Sequence, residues 1–303
     1  MPKPTASLFA LFFKCGGILL KLLKSVKALK VGLGAASLAS YAWLFTPEFA
    51  VILVGALVIH EYGHLRAMKA CGIPTKGIFL IPFFGGAAVA EEGFKTRADE
   101  AYVALMGPAW GLGTAVIPFA LFAIYPSPML VGVASFIALL NLFNLLPVNP
   151  LDGGRATKSI AFSIDSRLGL LMMFAGLLGI FAGMVFLKIA LFLLIGFIAM
   201  LELSAEWYLN VTKHKHWLEY RKNVEQIEHC LKDSRLSEET KEYLRASLQN
   251  KKEIILQRKP TMTSKEIVGY FCLYLYLIIH FIAIIYFAAK VPGAELALKS
   301  LME

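Results

Sequence analysis

Charge is scarce in this 303-residue chain. Asp, Glu, Lys and Arg make up 17% of it and hydrophobic residues 58%, against roughly 25% and 45–50% in a soluble domain. That balance excludes a disordered chain and a soluble nucleic-acid binder. Cysteine is equally sparse: Cys15, Cys71, Cys230 and Cys272 stand far apart with no CxxC spacing. They read as free thiols, which excludes a secreted disulfide scaffold and a cysteine-rich zinc framework. No internal repeat occurs. The N-terminus lacks the small-residue cleavage site of a signal peptide. Ser7 to Lys30 instead mixes Leu and Phe with five lysines, the pattern of an amphipathic helix on an anionic leaflet.

What the chain does have is long uncharged runs: 31–47, 101–151, 168–187, 189–201 and 267–289. A helix needs about 20 apolar residues to cross a bilayer, so the chain reads as a multi-span membrane protein. The first span is 31–47. The second is apolar from Phe49 to Ile59 and continues through His60–Lys69. The run 101–151 is too long for one helix, and Tyr125-Pro126-Ser127-Pro128 divides it into a third and fourth span. A turn at Lys188 separates a fifth from a sixth, and 267–289 is the seventh. With the N-terminus in the cytoplasm, 27 of the 30 Lys and Arg fall on the inside, and only Lys188, Lys290 and Lys299 outside. Such asymmetry sets orientation. The polar stretch 207–265 is expected to form two helices, near 215–233 and 238–257, the second opened by Ser237-Glu238-Glu239.

His60-Glu61-Tyr62-Gly63-His64 carries the chemistry. Residues i and i+4 share a helix face, so both imidazoles can reach one Zn²⁺, and Glu61 can take a proton from a water bound there. Gly63 removes bulk behind the site. The bland alternative is hydrogen bonding at a helix end, but ionisable groups inside a membrane helix are costly and usually functional. A catalytic zinc usually has three protein ligands. Asp152, after Pro147 and Pro150 and before Gly153-Gly154, is the leading third candidate. Prolines halt a helix, and paired glycines let the backbone turn sharply. Glu202 and Glu206 on the sixth span and Glu91/Glu92 in a loop are rivals, and an Asx turn is the ordinary use of an Asp beside Gly.

The HExxH in a membrane span, followed by Asn144-x-x-Pro147-x-x-Pro150-Leu-Asp152-Gly-Gly, resembles the site-2 protease family of intramembrane zinc metalloproteases. Gly107-Pro108-Ala-Trp-Gly111 is similar to that family's G-x-x-x-(N/S/G) element. The resemblance covers about 48 to 206. It implies His60, His64 and Asp152 as zinc ligands, Glu61 as catalytic acid/base, and Asn144 as an active-site polar group that orients substrate or stabilises an oxyanion. The stretch 77–91 is too short and too Gly/Pro-marked to span. It reads as two strands about a Gly85-Gly86 turn, buried or facing a water-filled cavity. In the family this is a re-entrant loop thought to receive substrate, which assigns substrate contact to Gly85, Gly86, Ala87, Ala88 and Val89; a strand edge suits an unwound helix.

The expected fold is thus an all-α polytopic membrane protein. It has a six-helix catalytic transmembrane core with a short re-entrant β-hairpin, a small helical cytoplasmic segment and a seventh transmembrane helix. Four parts follow: a basic segment 1–30, the core 31–206 with its β-loop 77–91, the helical segment 207–265, and 266–303. The function implied is Glu61-assisted attack of zinc-bound water on the transmembrane helix of a membrane-tethered regulator or a remnant signal peptide. A catalytically inactive zinc-binding scaffold is the alternative. The partners expected are a transmembrane-helix substrate, the lipid bilayer and a regulatory protein at 207–265 or 267–289, with no nucleic acid. The expected location is the cell (inner) membrane, with N-terminus and active site toward the cytoplasm. Lys213-His214-Lys215-His216 reads as a basic membrane-surface patch, and His280 as a packed, hydrogen-bonded residue.

Overall fold

The computed structural model describes residues 26–83, 85–187, 191–231, 237–255 and 261–303. The amphipathic segment expected from Ser7 lies outside the described residues up to position 25, as does the turn at Lys188; the side chains of 213–216 are also outside them. In chain order the elements are α1 (Val26–Leu44), α2 (Pro47–Ala70), β1 (Thr75–Ile81), β2 (Gly85–Ala90), α3 (Arg97–Phe122) and α4 (Pro128–Asn144). Then follow α5 (Asp152–Ile164), α6 (Ser166–Leu187), α7 (Leu191–Leu231), α8 (Glu238–Ile255), α9 (Ser264–Ala288) and α10 (Ala294–Met302). Among the described residues, four helices are long and apolar enough to cross a membrane: α2, α3, α6 over Ser166–Val185, and α9; α4 is a shorter apolar helix. With a two-stranded hairpin among the described residues, this is a polytopic, helical membrane protein.

The chain divides into two compact units, one from the described parts of 1–92, 106–142 and 279–303, the other from 93–105 and 143–278. In the first, α1 packs on α2 and β1, and the two strands lie on α2. Phe49, Tyr41, Ala50 and Leu53 form a core against Phe136, Leu140 and Leu298. A second cluster joins Val131, Ala288 and Ala294. Helix α2 starts sharply because Thr46 caps it, accepting from the Phe49 amide at 3.3 Å, with Pro47 in the first turn. It ends as sharply: Gly72 takes φ +66°, and the Ile73 amide returns to the Met68 carbonyl.

In the second unit α5 packs on α6, α6 on α7, and α7 on α8. Leu177, Ile180, Ile195 and Ala199 form one core, Ala101, Ile160 and Met262 another. The sequence reading starts a separate polar helix near 215. The structure instead runs α7 unbroken from Leu191 to Leu231. No Gly or Pro follows Gly196 in it, so the composition changes from apolar to polar without anything to stop the helix. Residues 152–164, to which the sequence pattern assigns no element, also form a helix.

Candidate metal centre

His60 and His64 sit one helical turn apart on α2, and their Nε2 atoms approach to 3.1 Å. Two nitrogens on one tetrahedral zinc, each at about 2.05 Å, stand roughly 3.3 Å apart. The pair is therefore pre-set for chelation, and a divalent cation that favours imidazole fits it. Both rings are buried, as is Glu61 between them in sequence. The Nδ1 atom of His60 lies 2.8 Å from Oδ1 of Asn141 on α4, whose Nδ2 donates to the Ile137 carbonyl at 2.8 Å.

Glycines clear the space around this group. A Cβ on Gly107 of α3 would collide with His64 Nε2 and stand 2.8 Å from His60 Nε2. One turn on, a Cβ on Gly111 would collide with the Asn141 amide. Gly63 does the same on the other side of α2, where a Cβ would strike the Met106 carbonyl and come within 2.9 Å of Trp110. The Trp110 ring meets Tyr62 edge-on at 5.1 Å. The expectation that Gly63 removes bulk therefore stands, with the neighbour now named.

The hairpin reaches the same group. β1 and β2 are antiparallel, with Ile78 opposite Ala88 and Ile81 opposite Gly85. The Ala88 amide donates to Glu61 Oε2 at 2.7 Å, so this N–H points away from β1, along the outer edge of β2. Pro82 and Phe83 lie in the turn, whereas Gly85 and Gly86 already belong to β2. Gly85, at φ +103°, does use a glycine conformation, but Gly86 does not. Gly86 is needed for closeness: a Cβ there would stand 2.6 Å from Glu61 Cγ.

Asn144 and Asp152 belong to the second unit. Asn144 is the half-buried last residue of α4, and Asp152 the half-buried first residue of α5. Gly153 and Gly154 do not turn the chain sharply, as expected above; they are helical and lack positive φ. Their role is packing, since a Cβ on Gly153 would strike the Leu145 carbonyl and one on Gly154 the backbone of Val148 and Asn149. The Leu145 carbonyl also accepts from Tyr274 Oη at 2.7 Å.

The rival carboxylates have other partners. Glu206 receives both guanidinium nitrogens of Arg97, at 3.1 and 3.2 Å. Lys158 bridges Glu100 at 3.1 Å and Glu202 at 3.8 Å. Glu91 and Glu92 are exposed, and His280 is half-buried on α9. Sequence reasoning missed Asn141 and the Arg97–Lys158 network. An amide inside an otherwise apolar helix, one turn before Asn144, was the available signal for the first.

The segment that carries this site is similar to known proteins. Residues 48–135 match the model of peptidase family M50. The putative zinc metalloprotease sll0528 of Synechocystis is 35% identical over 130 residues, covering 41% of this chain and 34% of that protein. Zinc metalloprotease MJ0392 of Methanocaldococcus jannaschii is 26% identical over 171 residues, half of each chain. Stage IV sporulation protein FB of Bacillus subtilis is 30% identical over 132 residues, covering 38% of this chain and 42% of that one. The chain spans about a third to a half of the length of the curated relatives it matches. The segment that bears His60, Glu61 and His64 is thus similar to peptidase family M50 and to these metalloproteases.

Proposed function

We propose that the protein is a zinc-dependent intramembrane endopeptidase. The observation that carries this is the facing pair of buried Nε2 atoms, 3.1 Å apart, beside a buried Glu61 on a helix apolar enough to cross a membrane. His60 and His64 hold the metal, and Asp152 completes the set, on the strength of its motif. Zinc bound there would acidify a water and polarise a peptide carbonyl. Glu61 takes the proton on its carboxylate and returns it to the leaving amine. Asn144 supplies an amide donor for substrate or for developing negative charge.

The substrate in this reading is a transmembrane helix, of a membrane-tethered regulator or a remnant signal peptide. Cleavage requires local unwinding, which frees backbone groups that find no water in the bilayer. The outer edge of β2, over Gly85, Gly86, Ala87, Ala88 and Val89, offers partners of the right kind. The core is 31–206 with its β-loop 77–91, and 207–265 or 267–289 meets a regulatory partner. The protein sits in the inner membrane, with its N-terminus and site toward the cytoplasm.

The deciding experiment compares membrane proteomes and zinc content of wild type and Glu61→Gln. Zinc should stay, because Glu61 is not a ligand, while cleavage falls about 10²–10⁴-fold, the usual share of a general base. Substrate turnover unchanged by Glu61→Gln would overturn the reading in favour of a zinc-binding scaffold. Asp152→Ala should release zinc; retention at wild-type affinity would remove it from the ligand set.

A further inference from the structure

We infer that Asn141 is a positioning residue that locks the His60 imidazole in its metal-binding tautomer, and that Gly111 exists to admit it. This rests on the zinc reading above. Asn141 is buried in α4 among apolar neighbours, where an amide must be fully hydrogen-bonded to be tolerated. Its Nδ2 can only donate, and it donates to the Ile137 carbonyl one turn back, at 2.8 Å. That bond fixes which way the amide faces. Oδ1, which can only accept, is left pointing at His60 Nδ1 from 2.8 Å.

The proton on His60 must then sit on Nδ1. A neutral imidazole carries one N–H, so Nε2 keeps its lone pair, and Nε2 is the atom aimed at His64. Without the Asn141 acceptor, His60 would share its proton between the two nitrogens, and the population ready to bind metal would fall. A carbonyl or carboxylate behind a histidine ligand also raises the basicity of the bound nitrogen. Gly111 belongs to the same device. Any Cβ at 111 would overlap the Asn141 amide and drive Oδ1 off His60. The glycines at 107 and 111 thus do separate tasks one turn apart: the first clears the imidazoles, the second their orienting amide.

The experiment measures zinc affinity by chelator competition on the full chain in detergent, with the melting temperature of the metal-free protein alongside. Asn141→Leu keeps the shape and removes the acceptor; zinc affinity should fall about 10–100-fold, the range for loss of an outer-shell partner. Asn141→Asp keeps an acceptor toward Nδ1 and should restore the affinity. Gly111→Ala should weaken zinc like Asn141→Leu, although it alters neither His60 nor Asn141. Wild-type affinity in Asn141→Leu overturns the inference. So does an equal loss in the Leu and Asp variants that follows a lowered melting temperature, since that marks packing alone. If wild type takes up no more zinc than His60→Ala, the zinc reading itself fails and this inference falls with it.

Discussion

The two units bury their polar groups in opposite ways. In the second, two cations are set among three carboxylates: Arg97 bridges Glu206 and Glu100, and Lys158 bridges Glu100 and Glu202. In the first, His60, His64, Glu61 and Asn141 bring together lone pairs with no cationic side chain among them. Carboxylates that face cations have counter-charges within the protein. A cluster of acceptors calls for a proton or a metal. Burial of ionisable groups is common to both, so burial alone does not mark a metal site; the sign and direction of the partners do.

The sharpest way to break this contrast is to remove a cation from the ion network. Arg97→Met takes the guanidinium away from Glu206 and Glu100 and leaves Glu100 its ion pair with Lys158. It should cost about 3–5 kcal/mol of stability, the range for breaking a buried pair, read as a lower melting temperature in detergent. Zinc affinity of the folded fraction should not move, and a parallel loss of zinc would mean the network serves the metal too. Gly107→Ala tests the other side. Its methyl has no room beside His64 Nε2 and should weaken zinc by about 10–100-fold, whereas Gly113→Ala, on the same helix with nothing within 4 Å, should leave it alone.

Ala88→Pro removes the amide that Glu61 accepts and one donor from the β2 edge. Cleavage should drop by about tenfold or more, the worth of a hydrogen bond to a charged group, while zinc stays bound. Ala88→Gly keeps the N–H and should cleave normally; equal loss in both would show that side-chain packing at 88 matters, not the amide. The smallest effect belongs to Tyr274→Phe. Loss of its bond to the Leu145 carbonyl should cost about 0.5–1.5 kcal/mol, seen in thermal melts, with zinc affinity unchanged.

The parts of this arrangement that depend on near neighbours in the chain were legible beforehand. The i, i+4 spacing of His60 and His64 needs only a helix, and the apolar runs foretold α2, α3, α4, α6 and α9 to within a few residues. The hairpin was foreseen but its turn misplaced, because Gly86 is a glycine for the sake of Glu61, 25 positions back, and so imitated a turn glycine. Asn141 was passed over for a similar reason: its partner is 81 residues away, and an isolated amide gives no hint of the ring it faces. The break expected before 215 in α7 failed because a change of polarity was read as a change of structure. A Gly or Pro is the ordinary sequence signal of such an interruption, and none is present there.

That missing interruption has a geometric meaning. Forty-one residues at 1.5 Å each make α7 about 60 Å long, roughly twice the thickness of a bilayer's hydrocarbon. Sharp kinks in helices come from Pro, Gly pairs or inserted groups, and beyond Gly196 α7 has neither proline nor glycine. Its polar end is therefore joined to its apolar end by continuous helix, with no Gly or Pro hinge between them after Gly196. Two of its own carboxylates, Glu202 and Glu206, grip Lys158 and Arg97 partway along.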